Sequence, residues 1–368
     1  MRTPVCHVCN ETMRRNGTTS KGTTRWRCTT CGTSKVFPNV KDNGLEEFLF
    51  WLFSKNTQAQ ASGQTSRSFR NHTARYWDYW PRTPLIGEPH EWIHVDGIHL
   101  GRNAVVLIAV DETGMVLGWH TARSESARAW SALFARIAPP RVLVCDGGSG
   151  IRKAMRACWP GTRMQRCLFH VFMDVTVLTT RHPQLQAGRQ LLDLAHRLLH
   201  ATTRQRATRW LRDYSAWESR WHERLAETST YTDGSIQQAH QRLVRARNML
   251  NRRIGEGVLF EFLQPEHDHH DVPWTNNRIE SLNARLRDML RNHRGLSLIR
   301  RIKAIHWYCS RHTAHPEPLD HTLEHCWSDQ QITDLYQQAW QNQPEQIWAL
   351  TGIPMKYGTG IQWNEFHT

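Results

Sequence analysis

Short apolar runs between residues 91 and 171 constrain this chain more than any other feature. Trp92-Ile-His-Val-Asp96, Ala104 to Val110, Met115 to Trp119 and Arg141-Val-Leu-Val-Cys145 are each bounded by turn-forming or polar residues. Runs this short and rich in β-branched residues read as strands. Asp111-Glu-Thr-Gly114 between the second and third is hairpin chemistry, so Asp111 is a turn residue rather than a catalytic one. Ser126 to Ile137 has helical periodicity, with Ser124 or Ser126 as its cap. A shorter helix, Gly150 to Cys158, stops at Pro160, and Met164 to His170 closes the set as a strand. The order β-β-β-α-β-α-β predicts an α/β domain.

The flanks differ in character. Residues 1–40 are basic and turn-rich, and residues 41–84 hold an apolar helix, Leu45 to Phe53, and a second helix, Thr65 to Trp80. Pro81 and Pro84 then mark a linker. After a first core part at 85–171, residues 172–272 read as an all-helical insertion, followed by two basic helices within 273–312. Residues 313–368 form a polar tail, helical at most, that ends in Gly-containing coil.

Cys6-x-x-Cys9 and Cys28-x-x-Cys31 are separated by eighteen residues. Two such pairs, each on a tight turn, aim four thiolates at one ion, and tetrahedral sulfur coordination is what structural zinc takes. Cys6, Cys9, Cys28 and Cys31 are therefore expected to hold Zn²⁺ in a zinc ribbon. Four protein ligands leave no open position, so this metal would serve structure.

The carboxylates follow a different logic. Asp96 and Asp146 each end an apolar strand, and each precedes a glycine. Strand ends present side chains at the functional edge of an α/β sheet, and glycine lets a ligand approach. If the strands are neighbours, two like charges converge at a cost that a cation relieves, and hard oxygen ligands suit Mg²⁺ or Mn²⁺. Glu280 is the third candidate. It shares a helix face with Asn277, Asn283 and Arg287, a polar-basic stripe beside the mostly apolar Asn276, Ile279, Leu282 and Leu286.

Net charge is +14, from 47 Lys and Arg against 33 Asp and Glu. That balance suits a polyanion whose counterions are released on contact. Residues 275–311 carry nine Arg or Lys and two acids. Arg25 and Arg27 in the ribbon, Arg67 and Arg70 in the second helix, and Asn277, Asn283 and Arg287 are the expected DNA contacts. Thr65 to Trp80 would serve as recognition helix of a helix-turn-helix. No run reaches the ~18 apolar residues of a membrane span. The first ten residues have no apolar core of a leader, so a cytoplasmic location with reduced cysteines is expected.

Four motifs in order carry a resemblance. Val95-Asp-Gly97, Cys145-Asp-Gly147, Gln165-Arg-Cys-Leu-Phe-His170 and Thr275-Asn-Asn-Arg-Ile-Glu280 resemble those of Mutator-like bacterial insertion-sequence transposases. The resemblance covers about residues 90 to 311. It implies a ribonuclease H-like fold, whose strand order the runs above share, with a helical insertion before the glutamate. It implies Asp96, Asp146 and Glu280 as the catalytic triad of a two-metal mechanism, Asp96 bridging the ions. Cys167 and His170 match a Cys-x-x-His element that supports the site or the fold. DNA is the implied partner, at element ends and target, and a homo-oligomer would hold two ends together. The alternative is a non-enzymatic zinc-ribbon DNA-binding regulator derived from such an enzyme.

Overall fold

The computed structural model describes residues 3–354 apart from 7, 21–22, 37–43, 103, 231–234, 268–270 and 340–343. Two compact units divide the chain: residues 1–51 with 56–76, and residues 52–55 with 77–368.

In the first unit, β1 (Met13–Thr18), β2 (Thr24–Cys28) and β3 (Ser34–Val36) form an antiparallel sheet in that order. Among the described residues its buried core is Cys6, Met13 and Cys28, with Cys9 and Trp26 packed against them. Three helices follow: α1 (Gly44–Phe53), α2 (Gln58–Ser62) and α3 (Ser66–Thr73). Thr57 caps α2 in a capping box, and Thr65 caps α3. Gly63 at φ 67° turns the chain between them. The expected sixteen-residue recognition helix is thus half as long. Its C-terminal part becomes a 3-10 turn at Ala74–Asp78, and Tyr79–Pro81 forms β4.

The expected linker at Pro81 is therefore a strand. In the second unit β4 pairs antiparallel with a strand from the tail, which accounts for the change of conformation. The central sheet comprises β5 (Trp92–Leu100), β6 (Ala104–Val110), β7 (Val116–Ala122), β8 (Val142–Cys145) and β9 (Arg163–Arg166), in the order β7-β6-β5-β8-β9. The first three are an antiparallel meander, whereas β8 and β9 run parallel to β5. Between the strands lie α4 (Ala127–Phe134), capped by Ser126, and α5 (Ser149–Cys158).

Side-chain alternation sorts the strands onto two faces. Ile93, Val95, Leu143 and Cys145 enter one core with α4 and α5. Val142 and Val144 enter the other, built with α6 (Leu168–Thr179), α7 (Gln186–Leu198), α8 (Arg204–Ala226) and α9 (Gln241–Gly255). The helical segment is interrupted by a small hairpin, β10 (Thr228–Thr230) with β11 (Ile236–Gln238), so it is not wholly helical. Trp210, Tyr214 and Trp217 stack along α8 inside this core.

Helices α10 (Asn277–Asn292) and α11 (Leu298–Arg311) follow. The tail is more integral than expected. It supplies β12 (Cys326–Ser328), α12 (Asp329–Ala339) and α13 (Pro344–Thr351). Trp348 is buried in the sheet core, and its Nε1 donates to the Thr121 carbonyl at 2.9 Å. Buried Lys303 of α11 meets Asp329 at 2.7 Å, and Trp80 Nε1 donates to the same carboxylate. The Gly-containing end of the tail lies outside the described residues. Among those residues no helix is long and apolar enough to cross a membrane.

Two histidines in this core make an acid-sensitive point. Burial pushes His120 down to about 3 and His306 likewise to about 3. Both stay neutral in the folded chain while their unfolded counterparts protonate below about pH 6.5. The unfolded state then binds more protons, so stability falls with pH from about 6.5 towards 3. Two such groups give a slope of up to about 3 kcal/mol per pH unit. Urea titrations at stepped pH should show it, and a flat profile from pH 7 to 5 would contradict it.

Candidate metal centre and carboxylate site

The four cysteines converge as expected. Their sulfurs all lie within 4.8 Å of one another, with Cys6 and Cys31 at 3.5 Å and Cys9 and Cys28 at 3.4 Å. Gly32, at φ 72°, makes the second turn possible. The Thr33 hydroxyl, hydrogen-bonded to Cys31, leads the causes that hold that thiol down at about 6. Among the described residues this is the cluster whose donor atoms already match a metal site. Arg25 and Arg27 are exposed on β2, and Arg67 and Arg70 on α3, where Arg70 also donates to Gln58.

The carboxylates gather by strand register. β5 and β8 pair Trp92 with Val142, Ile93 with Leu143 and His94 with Val144. Continued two residues past its last pair, this register sets Asp96, in the middle of β5, beside Asp146, which follows the end of β8; paired strands run about 4.8 Å apart. Both share the parity of Val142 and Val144, so both belong to the face that carries the helices. Two glycines make room for neighbouring side chains. A side chain on Gly97 would strike Glu125 Oε1 at 2.7 Å, and one on Gly147 would fall 1.9 Å from Arg166.

Helix α10 brings Glu280 to this edge, and an asparagine at its start does the anchoring. Asn276 is fully buried and donates from Nδ2 to the Val95 carbonyl (3.1 Å). That orients its Oδ1 to accept from His94 Nδ1 at 2.9 Å. Its backbone N–H meets Cys167 Sγ at 3.3 Å. Burial holds His94 neutral, down at about 4, so the imidazole stays a single donor there. Sequence reasoning had placed Asn276 in a mostly apolar face and missed this role. Asn276→Ala would strand the buried His94 donor and the Val95 acceptor. It should destabilise the chain by about 3 kcal/mol, read from urea unfolding at pH 7.

Asn283 is a correction. It is fully buried, and its Nδ2 donates to Asp96 Oδ2 at 2.7 Å, so it is not an exposed DNA contact. Asn277 and Arg287 are exposed on α10. Cys167 and His170 are also relocated. β9 ends at Arg166, Cys167 is the N-cap of α6, and His170 lies within the helix. His170 Nε2 sits 3.6 Å from Glu280 Oε1. Its bond to Cys167, with further help from the charges of Cys167, Asp146 and Glu280, raises it to about 9 against the pull of burial.

Asp96 feels all of this. Burial and the charge of Glu280, with smaller pushes from Glu125 and Asp146, raise it to about 7. Glu125 is a fourth carboxylate at the site, itself raised chiefly by burial and hydrogen-bonded to His99 at 2.8 Å. Sequence reasoning missed it because it lies in the turn before α4, outside any apolar run. Asp111, as expected, accepts from Thr113 and Met115 inside its own turn. In the histidine cluster after Pro265, His267 is buried against Glu261, while His269 and His270 lie outside the described residues.

Comparison with known proteins bears on this arrangement. Residues 92–258 match the family described as Transposase, Mutator family. This segment is similar to the Mutator family of transposases. It contains Asp96, Asp146, Cys167 and His170, while Glu280 and the cysteine cluster lie beyond the matched residues. The chain is also similar to the transposase for insertion sequence element IS406 of Burkholderia multivorans, 25% identical over 193 residues. That alignment covers 47% of this chain and 49% of the relative, so the chain spans about half the length of the curated relative it matches.

Proposed function

We propose that the chain is a DNA transposase that cuts at insertion-sequence ends and transfers the freed strand to target DNA, with Asp96, Asp146 and Glu280 as its metal-holding triad. The observation that carries this reading is the gathering of the half-buried Asp96 with Glu280, Glu125 and Asp146, whose charges together with burial raise its carboxyl to about 7. Such a set is costly when ionised and fits a divalent cation, for which carboxylate oxygens are hard donors. The sheet order, with a three-strand meander and two parallel strands, supports a ribonuclease H-like core into which α6–α9 are inserted.

Bound magnesium or manganese would supply charge stabilisation for the leaving oxygen and a more acidic attacking water. The chain's own residues set the stage. Asn283 fixes the Asp96 carboxylate, and Asn276 ties the start of α10 to β5, which holds Glu280 in register with the two aspartates. His170, protonated through neutral pH, partners Glu280. Arg25, Arg27, Arg67, Arg70, Asn277 and Arg287 are exposed and suited to DNA phosphates. A homo-oligomer would hold two element ends together, and zinc would fill the cysteine cluster.

Incubating labelled end duplexes and a target plasmid with the full chain in magnesium tests the proposal. Cut and joined products are expected. Binding without cutting or joining, in magnesium and in manganese alike, would replace the enzyme with the DNA-binding regulator.

A further inference from the structure

Beside Asp146 lies a polar cavity of about 420 Å³ whose arginines the triad does not use. Arg166 and Arg253 reach it from β9 and α9, and each is more than nine-tenths buried (7% and 6% exposed). Both lean on a single carboxylate, Asp174, at 3.5 and 2.6 Å. Arg166 Nε and Arg253 Nη1 have no hydrogen-bond partner among the described residues. The nearby Arg152 is matched by Glu256 at 2.8 Å, and Arg252 adds an exposed cation at the rim. Two buried guanidiniums that share one carboxylate leave an excess of positive charge beside the cavity, and that arrangement calls for an anion.

We propose that this cavity is a phosphate seat, holding a backbone phosphate of the DNA strand next to the one that reacts at Asp146. The inference rests on the reading of the chain as a DNA-processing enzyme. The planar guanidinium fork matches tetrahedral phosphate oxygens in paired hydrogen bonds. Helix α5 adds to the attraction. Its N-cap, Gly148, has no side chain to cap it; the Gly148 N–H donates to Asp146 Oδ1 at 2.9 Å, and Gly148 and Ser149 line the same cavity, so the remaining N–H groups of the first turn lie beside the seat. The Arg166 side chain occupies the space that a side chain on Gly147 would need, its Nη1 1.9 Å from where a Cβ would lie. A strand running past Asp146 would have its register set by the seat.

The test is binding of the full chain to a labelled duplex of mixed sequence, without divalent metal, over a range of KCl concentrations. Arg253→Gln should weaken binding roughly tenfold and lower the slope of log affinity against log salt by about one. Arg252→Gln, at the exposed rim, should weaken it in the same direction. Glu256→Gln removes a competing anion and should tighten binding, a gain that no folding defect produces. Unchanged slopes in both arginine variants would overturn the seat. So would calorimetric binding of inorganic phosphate to the wild type with DNA affinity indifferent to these substitutions, since the seat would then serve free phosphate. The two readings fail separately. Normal cutting with unchanged slopes sinks the seat alone, whereas lowered slopes in a chain that neither cuts nor joins sink the transposase reading alone.

Discussion

Asp96→Asn should lower strand cleavage and joining by about three orders of magnitude or more, the scale of several kcal/mol of lost charge stabilisation, while the protein folds and binds DNA as before. The dissociation follows from the geometry. Asparagine has the shape of aspartate, and its carbonyl oxygen still accepts from Asn283 Nδ2, so α10 keeps its contact with β5. What disappears is a charge that the fold tolerates poorly. The wild-type carboxyl is raised to about 7 by burial and by Glu280, with Glu125 and Asp146 adding to it. Above that pH its ionisation is a cost to the metal-free chain, because the folded state gives up a proton that it holds more tightly than the unfolded state does. The variant should therefore melt at the same temperature or higher in chelator at pH 8. Parallel assays of melting, DNA binding and joining decide the matter. A variant that joins DNA at the wild-type rate would end the role of Asp96, and one that melts much earlier would make it a structural residue.

The parts of this site that sequence reasoning reached are those whose signal is local. Asp96 and Asp146 each follow an apolar run and precede a glycine, and both features survive in one dimension. The register that matches them across β5 and β8 then follows from the parallel pairing. Asn283 shows where a local reading can be improved. Asn276, Ile279, Asn283 and Leu286 recur at three and four residues, so Asn283 belongs to the buried stripe as much as to the polar one. Polarity decided the assignment, and its partner, Asp96, is 187 residues away. Arg166, Arg253 and Asp174 lie on β9, α9 and α6, and nothing in their own neighbourhoods brings them together. The run from Met164 to His170 illustrates a different limit. It is apolar enough for strand or helix, and only the end of the pairing with β8 and the cap position of Cys167 divide it. Likewise Tyr79 to Pro81 leaves the helix because β12 supplies strand partners from 247 residues away.

Stripping metal from the four cysteines should unfold β1–β3 and leave the second unit folded. Among its described residues the ribbon has almost nothing else to hold it: three buried side chains, two of them cysteines. A core that small cannot offset the chain entropy of ordering some thirty residues, at roughly 1–2 kcal/mol each. Structural zinc supplies roughly 10–16 kcal/mol of apparent binding energy in comparable small domains, and that energy is folding energy. Sulfurs 3.4 and 3.5 Å apart are close to the separation required by four Zn–S bonds of about 2.3 Å in a tetrahedron. The second unit has its own cores, on both faces of the five-stranded sheet, and draws on none of these residues. Elemental analysis should give one zinc per chain. Hydrogen exchange after treatment with a strong chelator, or in Cys28→Ser, should show protection lost across residues 13–36 and kept in β5–β8. Protection that persists in the ribbon without metal would mean the thiols pack by themselves, and the zinc assignment would fall. Combined with Asp96→Asn, the experiment separates the two metals: chelation strong enough to remove zinc should abolish order in the first unit, whereas the Asp96 substitution should abolish chemistry and leave that order untouched.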